Sequence, residues 1–308
     1  MTETELIQKL TAELPYDSTV LTGPGDDCAV IELGGQNLLF KTDAIVEGIH
    51  FTPNTPPEMI GRKAIARPLS DFAAMGGFPT HALITLGLPG EHCEDRIASI
   101  YEGAKNIAAN HKTSIVGGET ARSSQLWLSV SVIGTVDRKY CITRTGSKTS
   151  DAIFVTGELG GSLASKHLNF QPRILEGHWL AQEFDVHAMI DLSDGLATDL
   201  RHLLNKNLGA ELLTTAIPVS RAAKLRAKDA PSGKTALLAA LTDGEDYELL
   251  FTLPTKDAVK LHDAWKEKFP DLSLKCIGKI TGEPGIILRD EKGTHPLNIH
   301  GYDHLQKS

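Results

Sequence analysis

Positive charge, cysteine and long apolar runs are all scarce in this sequence of 308 residues. Its 31 lysine and arginine residues are outnumbered by 39 aspartate and glutamate residues, which gives a formal net charge of −8. Because nucleic acids and anionic membranes are bound by clustered basic side chains, the composition disfavours both as partners. No stretch approaches the roughly 20 apolar residues that a membrane-spanning helix requires.

The four cysteines, Cys28, Cys93, Cys141 and Cys276, lie far apart and form no C-x-x-C pair. The first residues, MTETELIQKL, lack the apolar segment of a secretory signal and predict an amphipathic helix instead. We therefore expect a cytoplasmic protein whose thiols are structural or incidental.

Three common nucleotide-binding patterns are also missing. The sequence contains no Walker A motif, no G-x-G-x-x-G after a strand and no protein-kinase signature set. Gly157, Gly160 and Gly161 are a poor substitute for the second of these. Any ATP site in this chain is therefore of another kind.

The patterning predicts two halves that each mix strands and helices, an α+β organisation. In the first half we expect the order β-β-α-β-α-β-β, ending near Val136, with a hairpin at Gly34-Gly35 and helices over 57–75 and 94–110. In the second half we expect a helix that carries Leu196, Leu200, Leu203 and Leu204, and strands in the segments DAIFVTGELGGS, AMIDLSDG, YELLFTLP and KCIGKIT.

Carboxylates recur next to glycine or hydroxyl residues at the predicted strand ends and helix starts. Six segments share this pattern: Gly25-Asp26-Asp27, Thr42-Asp43, Ser70-Asp71, Gly117-Gly118-Glu119-Thr120, Asp191-Leu192-Ser193-Asp194-Gly195 and Gly244-Glu245-Asp246. Converging carboxylates need cations, and oxygen ligands without histidine or cysteine suit Mg²⁺ or Ca²⁺ rather than zinc. Glycine neighbours let backbone N–H groups approach an anion. Together these features favour a nucleotide phosphate site.

Each segment taken alone is also typical of a helix cap or a turn. Asp194, for example, is well placed to cap the helix that begins near Leu196. With six such segments in one chain, it is improbable that every one is only a cap or a turn. Their spacing in the sequence does not show that their carboxylates lie together in the folded chain.

The order of the motifs resembles the thiamine-monophosphate kinase family, of the aminoimidazole-ribonucleotide-synthetase-like superfamily. The resemblance runs from about Gly23 to His304 through GPGDDCAVI, KTDAIVEGIHF, LSDFAAMGG, IVGGET, DLSDGLATDL, GEDYELLFT and GYDH. The segments GEDYELLF and TD-x-x-VEG-x-HF are typical of the family, whereas GDD and DLSDG indicate only the superfamily.

The resemblance implies an ATP-dependent phosphorylation of thiamine monophosphate to thiamine diphosphate, by a homodimer. Residues 1–137 would form an N-terminal α/β sheet domain that binds ATP and Mg²⁺ and dimerises through its sheet. Residues 138–308 would form a C-terminal α/β domain that completes the active site. The acceptor is itself a phosphate, so we expect in-line transfer assisted by several Mg²⁺ ions and no general base.

The resemblance also implies roles for individual residues. The expected Mg²⁺ ligands are Asp27, Thr42, Asp43, Asp71, Glu119, Asp191 and Asp194. The expected nucleotide contacts are Gly118, Glu119, Arg144 and Ser193, and the expected substrate contacts are His50, Glu245 and Tyr302. Asp43, Asp71 and Arg144 would act directly in catalysis.

Four features depart from the family pattern. Glu119 stands in place of an aspartate, and Lys41 stands in place of a small hydroxyl residue before Thr-Asp. Arg67 and Pro68 precede Leu-Ser-Asp in place of Val-Asn, and we expect the proline to kink or restart its helix. The stretch over residues 162–173 is shorter than in relatives.

Two alternatives stay open. One is another ATP-dependent superfamily member, such as a ligase or a selenophosphate synthetase; the first 22 residues contain no cysteine, which disfavours the second of these. The other is a catalytically weak relative that binds nucleotide or thiamine phosphate, an alternative that rests on Lys41, Pro68 and Glu119.

Overall fold

The computed structural model describes residues 3–91, 93–230, 233–299 and 301–302. The chain divides into two compact units. We call residues 19–141 with 167–178 the six-stranded unit, and residues 1–18, 142–166 and 179–308 the seven-stranded unit. The first helix, α1 (Glu3–Thr11), belongs to the seven-stranded unit and confirms the helix predicted at the N-terminus.

The six-stranded unit contains one sheet and two long helices. Its elements in chain order are β1 (Val20–Thr22), β2 (Ala29–Leu33), β3 (Gln36–Val46), α2 (Pro57–Ala74), β4 (Phe78–Leu88), α3 (Glu94–Asn110), β5 (Ser114–Arg122) and β6 (Trp127–Val136). The strands lie in the order β1-β2-β3-β6-β4-β5, and only the β4–β5 pair is parallel. The strand β5 therefore forms one edge of this sheet.

Helix α2 lies at the centre of the six-stranded unit, with thirteen of its residues buried. Two glycines let it approach α3 closely: a Cβ added at Gly61 would overlap the backbone of Ile100, and one at Gly103 would overlap the backbone of Glu58. The helix continues through Pro68 to Ala74. Pro68 therefore does not restart the helix, because the buried packing on both sides of the proline holds the helical backbone. The alternative, a kink at Pro68, stays a prediction.

The seven-stranded unit holds a second sheet. Its further elements are β7 (Asp151–Thr156), β8 (Ala188–Asp191), α6 (Leu196–His202), β9 (Gly209–Leu213), α7 (Arg221–Asp229), α8 (Ala236–Thr242), β10 (Leu249–Pro254), α9 (Ala258–Lys268), β11 (Leu274–Thr281), β12 (Gly285–Asp290) and β13 (Gly293–Pro296). Two helices, α4 (Lys166–Asn169) and α5 (Ile174–Glu183), have residues in both units. Single 3₁₀ turns occupy Arg138–Tyr140, Ser162–Ala164, Thr214–Ala216 and Thr255–Asp257.

The second sheet has the strand order β13-β12-β9-β11-β7-β10-β8, and only its β12–β9 pair is parallel. The central strand β7 is buried at every residue, which fits its run of apolar side chains. The apolar face of α6, including Leu196 and Leu200, packs into the same core. In the described part of the chain, no helix is long and apolar enough to cross a bilayer.

The predicted α+β class is confirmed, and the structure shows that the strands form two sheets. The predicted order of the first half is also confirmed, except that it missed the short strand β1. Dimerisation and the roles of residues 1–137 and 138–308 stay predictions. The closing GYDH motif falls partly outside the described residues, at positions 303 and 304.

Candidate active site

Two buried carboxylates converge in the six-stranded unit. Asp27 precedes β2 and is 1% exposed, while Asp71 lies on α2 and is 5% exposed. One oxygen of each carboxylate lies within 4.8 Å of the other. Two carboxylates this close and this deeply buried need a cation between or beside them, because each desolvated charge also repels the other.

Lys41 on β3 supplies a cation at this position. Its Nζ lies 2.6 Å from Oδ1 of Asp71. Burial by itself lowers the pKa of Lys41, but the charges of Asp71 and Asp43 outweigh it and raise the pKa above its usual value. Lys41 is therefore a fixed positive charge, held by a residue that the sequence predicts as a metal ligand.

Asp43 and Thr42 lie on opposite faces of β3, since successive side chains of a strand alternate. Asp43 is on the side of Lys41, whose pKa it raises. The Thr42 hydroxyl is on the exposed face, where it accepts a hydrogen bond of 3.1 Å from Ser131 Oγ. The structure thus brings Asp43 together with Lys41 and Asp71, and places the Thr42 side chain elsewhere.

A cavity of about 650 Å³ lies beside the edge strand β5. It is lined by Tyr101, Lys105, Ile115, Gly117, Gly118, Glu119 and Thr120. A Cβ at Gly118 would overlap the backbone of Ile84 on β4, so no side chain fits at this position. Glu119 is exposed, and its Oε1 accepts a hydrogen bond of 3.1 Å from the N–H of Thr120.

The side chain of His50 is fixed by its own loop. The N–H of Val46 donates a hydrogen bond of 3.0 Å to Nδ1 of His50. The N–H of His50 in turn donates to the carbonyl of Val46, at 2.9 Å. His50 is therefore held in one orientation at the end of β3.

In the seven-stranded unit, the DLSDG segment forms a loop between β8 and α6. Asp191 ends β8 and is buried, whereas Ser193 and Asp194 are half-buried. Asp199 Oδ2 accepts hydrogen bonds from the N–H groups of Asp194, at 3.1 Å, and Gly195, at 3.0 Å. Asp199 thereby fixes the loop that carries two predicted metal ligands.

The sequence prediction missed Asp199. Burial raises the pKa of its carboxyl well above the ordinary value, and the charges of Asp194 and Asp191 raise it further. The charge of Arg144 opposes this rise, so Arg144 lies near the same carboxylates. The sequence did contain a signal for this role: Asp199 lies four residues after Gly195, and at that spacing a carboxylate can accept hydrogen bonds from the N–H groups of the preceding loop.

The GEDYE segment lies beside the DLSDG loop. Glu245 and Tyr247 both have positive φ, 55° and 50°, and their N–H groups donate to the carbonyls of Ser193 and Leu192 at 2.7 and 2.8 Å. This unusual backbone is held by the loop itself. Glu245 is half-buried, which leaves part of its side chain open to solvent.

The other two acids of this segment face the interior. Asp246 accepts hydrogen bonds from the N–H of Gly160, at 2.9 Å, and from the Ser162 hydroxyl. Glu248 accepts from the Thr156 hydroxyl at 2.7 Å and from Lys166 Nζ at 2.8 Å. Asp246, which belongs to one of the six carboxylate segments, therefore anchors a glycine turn.

The same contacts explain why the glycine turn after β7 is no phosphate cradle. The N–H of Gly160 donates to Asp246, and the N–H of Gly161 donates to Asp243 at 2.9 Å. Because protein carboxylates already accept from both amides, these two groups do not face an anionic ligand.

Tyr302 is attached to the DLSDG loop through its backbone. Its N–H donates to the carbonyl of Asp194 at 3.0 Å, and the N–H of Gly301 donates to Thr198 Oγ1 at 2.7 Å. A Cβ at Gly301 would overlap the Asp194 carbonyl. The Tyr302 side chain is 49% exposed.

Comparison with known proteins identifies the family of this chain. Residues 25–136 match the family model described as AIR synthase related protein, N-terminal domain. The thiamine-monophosphate kinase of Rhodopirellula baltica is 37% identical over 288 residues, which cover 90% of this chain and 87% of that protein. That of Haemophilus influenzae is 33% identical over 340 residues, with 100% and 99% covered.

Solved structures agree as well. The structure of AaThiL complexed with AMPPCP and TMP superposes with a TM-score of 0.83 at 30% identity, and covers 99% of this chain and 97% of that one. The hydrogenase maturation protein HypE in complex with ATP, at 18% identity and a TM-score of 0.70, shows the fold alone. Because relatives more than 30% identical match nearly its whole length, this chain belongs to the thiamine-monophosphate kinase family.

Proposed function

We propose that this chain transfers the γ-phosphoryl group of ATP to thiamine monophosphate and forms thiamine diphosphate. The observation that carries the proposal is the close likeness to a structure that holds an ATP analogue together with TMP. The converging carboxylates of Asp27 and Asp71 support it, because phosphate substrates bring the divalent cations that such a pair accommodates.

Mg²⁺ is the cation that this donor set fits. The proposed ligands offer hard oxygen atoms, and the buried Asp27–Asp71 pair offers two of them at short range. We assign to Mg²⁺ the carboxylates of Asp27, Asp43, Asp71, Glu119, Asp191 and Asp194. Thr42 completes the set through its main-chain oxygen, because its side chain lies on the opposite face of β3. When bound, Mg²⁺ supplies charge neutralisation and orientation of phosphate oxygens.

The nucleotide contacts in this proposal are Gly118, Glu119, Arg144 and Ser193. The cavity beside β5 supports the first two, because it is lined by Gly118 and Glu119 and is wide enough for part of a nucleotide. Arg144 offers a fixed positive charge in a fork that matches phosphate oxygens. The exposed side chain of Glu119 has the reach to meet a metal at the cavity edge.

The substrate contacts are His50, Glu245 and Tyr302. The ring of His50 is oriented by the hydrogen bond that its Nδ1 accepts from the N–H of Val46, which supports a fixed contact with the substrate. Glu245 and Tyr302 are each linked by a backbone hydrogen bond to the DLSDG loop, which supports a shared role for these segments.

The transfer needs positioning and charge compensation rather than a general base. The acceptor phosphate has a second pKa of about 6 and is mostly dianionic at neutral pH, so it attacks without losing a proton to the protein. Asp43 and Asp71 would bind the Mg²⁺ ions that contact the phosphates, and Arg144 would stabilise the negative charge on the transferred phosphoryl group.

We also propose that the chain forms a homodimer through the six-stranded sheet. One face of this sheet packs on α2, and the opposite face exposes apolar side chains. Phe40 and Ile133 are directly paired on β3 and β6 and are 47% and 38% exposed, and Leu83 on neighbouring β4 is 47% exposed. A second copy of the same face would bury these side chains.

A single assay separates the proposed function from its alternatives. Purified protein is incubated with ATP, Mg²⁺ and thiamine monophosphate, and thiamine diphosphate is measured by chromatography. We expect stoichiometric thiamine diphosphate and ADP, and no product from unphosphorylated thiamine, whose hydroxyl would need a base. Tight binding of both substrates without product would instead support the catalytically weak relative. Binding of ATP without thiamine monophosphate would support another superfamily member.

A further inference from the structure

Lys63 on α2 is a fully buried lysine, with 0% of its surface exposed. Lysine is almost never fully buried unless its ammonium has partners. Its Nζ donates a hydrogen bond of 2.8 Å to the carbonyl oxygen of His50, and Nδ1 of His167 lies 2.8 Å away. A methionine would fill a similar volume without the cost of burying a charge. A lysine at this position is therefore explained by the groups to which its ammonium donates hydrogen bonds.

The first partner is the loop that carries His50. The Val46 N–H donates to Nδ1 of His50, so that nitrogen is an acceptor and the ring proton of the neutral imidazole is on Nε2. Lys63 secures the main chain of the same residue through its carbonyl. Val46 therefore holds the ring of His50, and Lys63 holds its main chain.

The second partner is His167, in α4. An ammonium has donors only, so Nδ1 of His167 accepts from Lys63 and its proton is also on Nε2. The preceding residue, Arg62, holds the same segment: its Nη2 donates to the carbonyls of Asn169 at 3.0 Å and Phe170 at 2.6 Å. Two consecutive cations of α2 thus hold residues 167–170.

We propose that Lys63 is a positioning residue for thiamine monophosphate. Its ammonium joins the His50 loop to His167, and thereby fixes the position of the loop whose histidine contacts the substrate in the proposed function. The inference rests on the proposed function, in which His50 contacts the substrate. Lys63 itself touches no reacting group, and ATP is bound by other residues.

The variant Lys63→Met tests the proposal when the KM for thiamine monophosphate and the KM for ATP are measured separately. We expect the KM for thiamine monophosphate to rise about tenfold, since the variant loses a hydrogen bond to a charged group. The KM for ATP should stay within about twofold, because its contacts are elsewhere. Lys224→Met, at an exposed position of α7, is the matched control and should behave as the wild type.

His50→Gln separates failure of this inference from failure of the proposed function. If His50→Gln raises the KM for thiamine monophosphate while folded Lys63→Met does not, Lys63 is no positioning residue and the function stands. If His50→Gln changes nothing, the substrate contact itself is wrong.

A second pair of variants applies even if Lys63→Met does not fold. Asparagine and leucine have nearly the same shape, but only asparagine keeps an acceptor where His167 has Nδ1. We expect His167→Leu to raise the KM for thiamine monophosphate several-fold and His167→Asn to restore it. Equal values for the two variants would overturn the proposed link.

The tautomers give a readout that is independent of activity. Nitrogen-15 spectra of the imidazole rings, assigned with the His50 and His167 variants, should show both histidines as the Nε2–H form at neutral pH. A proton on Nδ1 of either ring would contradict the contacts from which the proposal is built.

Discussion

The ammonium nitrogen of Lys41 lies 2.6 Å from Oδ1 of Asp71, and the side chains are only 22% and 8% exposed. This ion pair occupies a carboxylate that the family resemblance assigns to Mg²⁺. A metal that binds Asp71 has to share this carboxylate with the ammonium or displace it. We therefore expect Lys41 to raise the Mg²⁺ concentration that the proposed reaction requires.

Lys41→Ser should lower the Mg²⁺ concentration needed for half-maximal activity. We expect a shift of about tenfold. In the wild type, Mg²⁺ binding at Asp71 has to break the hydrogen bond from Lys41, which costs roughly 1–3 kcal/mol, and the variant has no such cost. The measurement is a Mg²⁺ titration of the rate at saturating ATP, with Lys224→Ser as the exposed control. An unchanged or higher Mg²⁺ requirement would show that Lys41 does not compete for Asp71.

Asp43→Asn should abolish turnover and leave the fold intact. Asparagine has nearly the same shape but no charge, so the variant loses metal binding at a half-buried position without creating a cavity. We expect the rate to fall at least about 100-fold. Circular dichroism melting checks the fold, and Asp229→Asn, exposed on α7, is the control. Full activity of Asp43→Asn would remove Asp43 from the metal set.

Local pattern was sufficient to predict most of the fold. Helical periodicity and flanking turns predicted α2 and α3 almost to the residue, because these helices have strong apolar faces. The three-residue strand β1 has too little pattern to be seen. The sequence did not show that α2 would continue through Pro68, because the packing that holds the helix there comes from residues distant in sequence.

The site was predictable in its residue types but not in its pairings. Asp27 and Asp71 are 44 positions apart in the sequence, and only the folded sheet and helix bring them together. Nothing local shows that Lys41 reaches Asp71. Asp246 has the same local signal as Glu245, yet it faces the interior and anchors Gly160.

Gly301→Ala should weaken binding of thiamine monophosphate. The added methyl group would overlap the carbonyl of Asp194, so either the Tyr302 segment or the DLSDG loop has to move. We expect the KM for thiamine monophosphate to rise about tenfold, with a small change in melting temperature. Gly282→Ala is the matched control, because the nearest atom to its added Cβ is 3.6 Å away. Equal kinetics for the two variants would show that the C-terminal contact has no role in the site.

Ile133→Lys should dissociate the proposed dimer. The substitution places a charge opposite Phe40 on the exposed sheet face, where a partner subunit would have to bury it. Light scattering after size exclusion should give a dimer for the wild type and a monomer for the variant. Leu225→Lys, at an exposed site of α7 that is 48% accessible, should remain dimeric. A monomeric wild type would end the proposal.

Asp246 should contribute a pH dependence to stability that is opposite to that of most carboxylates. Burial raises its pKa to about 6, against the opposing effects of Lys166, Ser162 and the Gly160 N–H. Between about pH 4 and pH 6 the folded chain therefore keeps a proton that the unfolded chain has lost. Its contribution to stability rises as the pH falls through this window.

Asp246→Asn tests that sign, because the amide does not titrate. The free energy of unfolding of the wild type minus that of Asp246→Asn should decrease by up to about 3 kcal/mol as the pH rises from about 4 to 7. Urea unfolding at several pH values measures the difference, with Asp229→Asn as the exposed control. If this difference does not change with pH, or increases with pH, the pKa of Asp246 in the folded chain is not raised and the prediction is wrong.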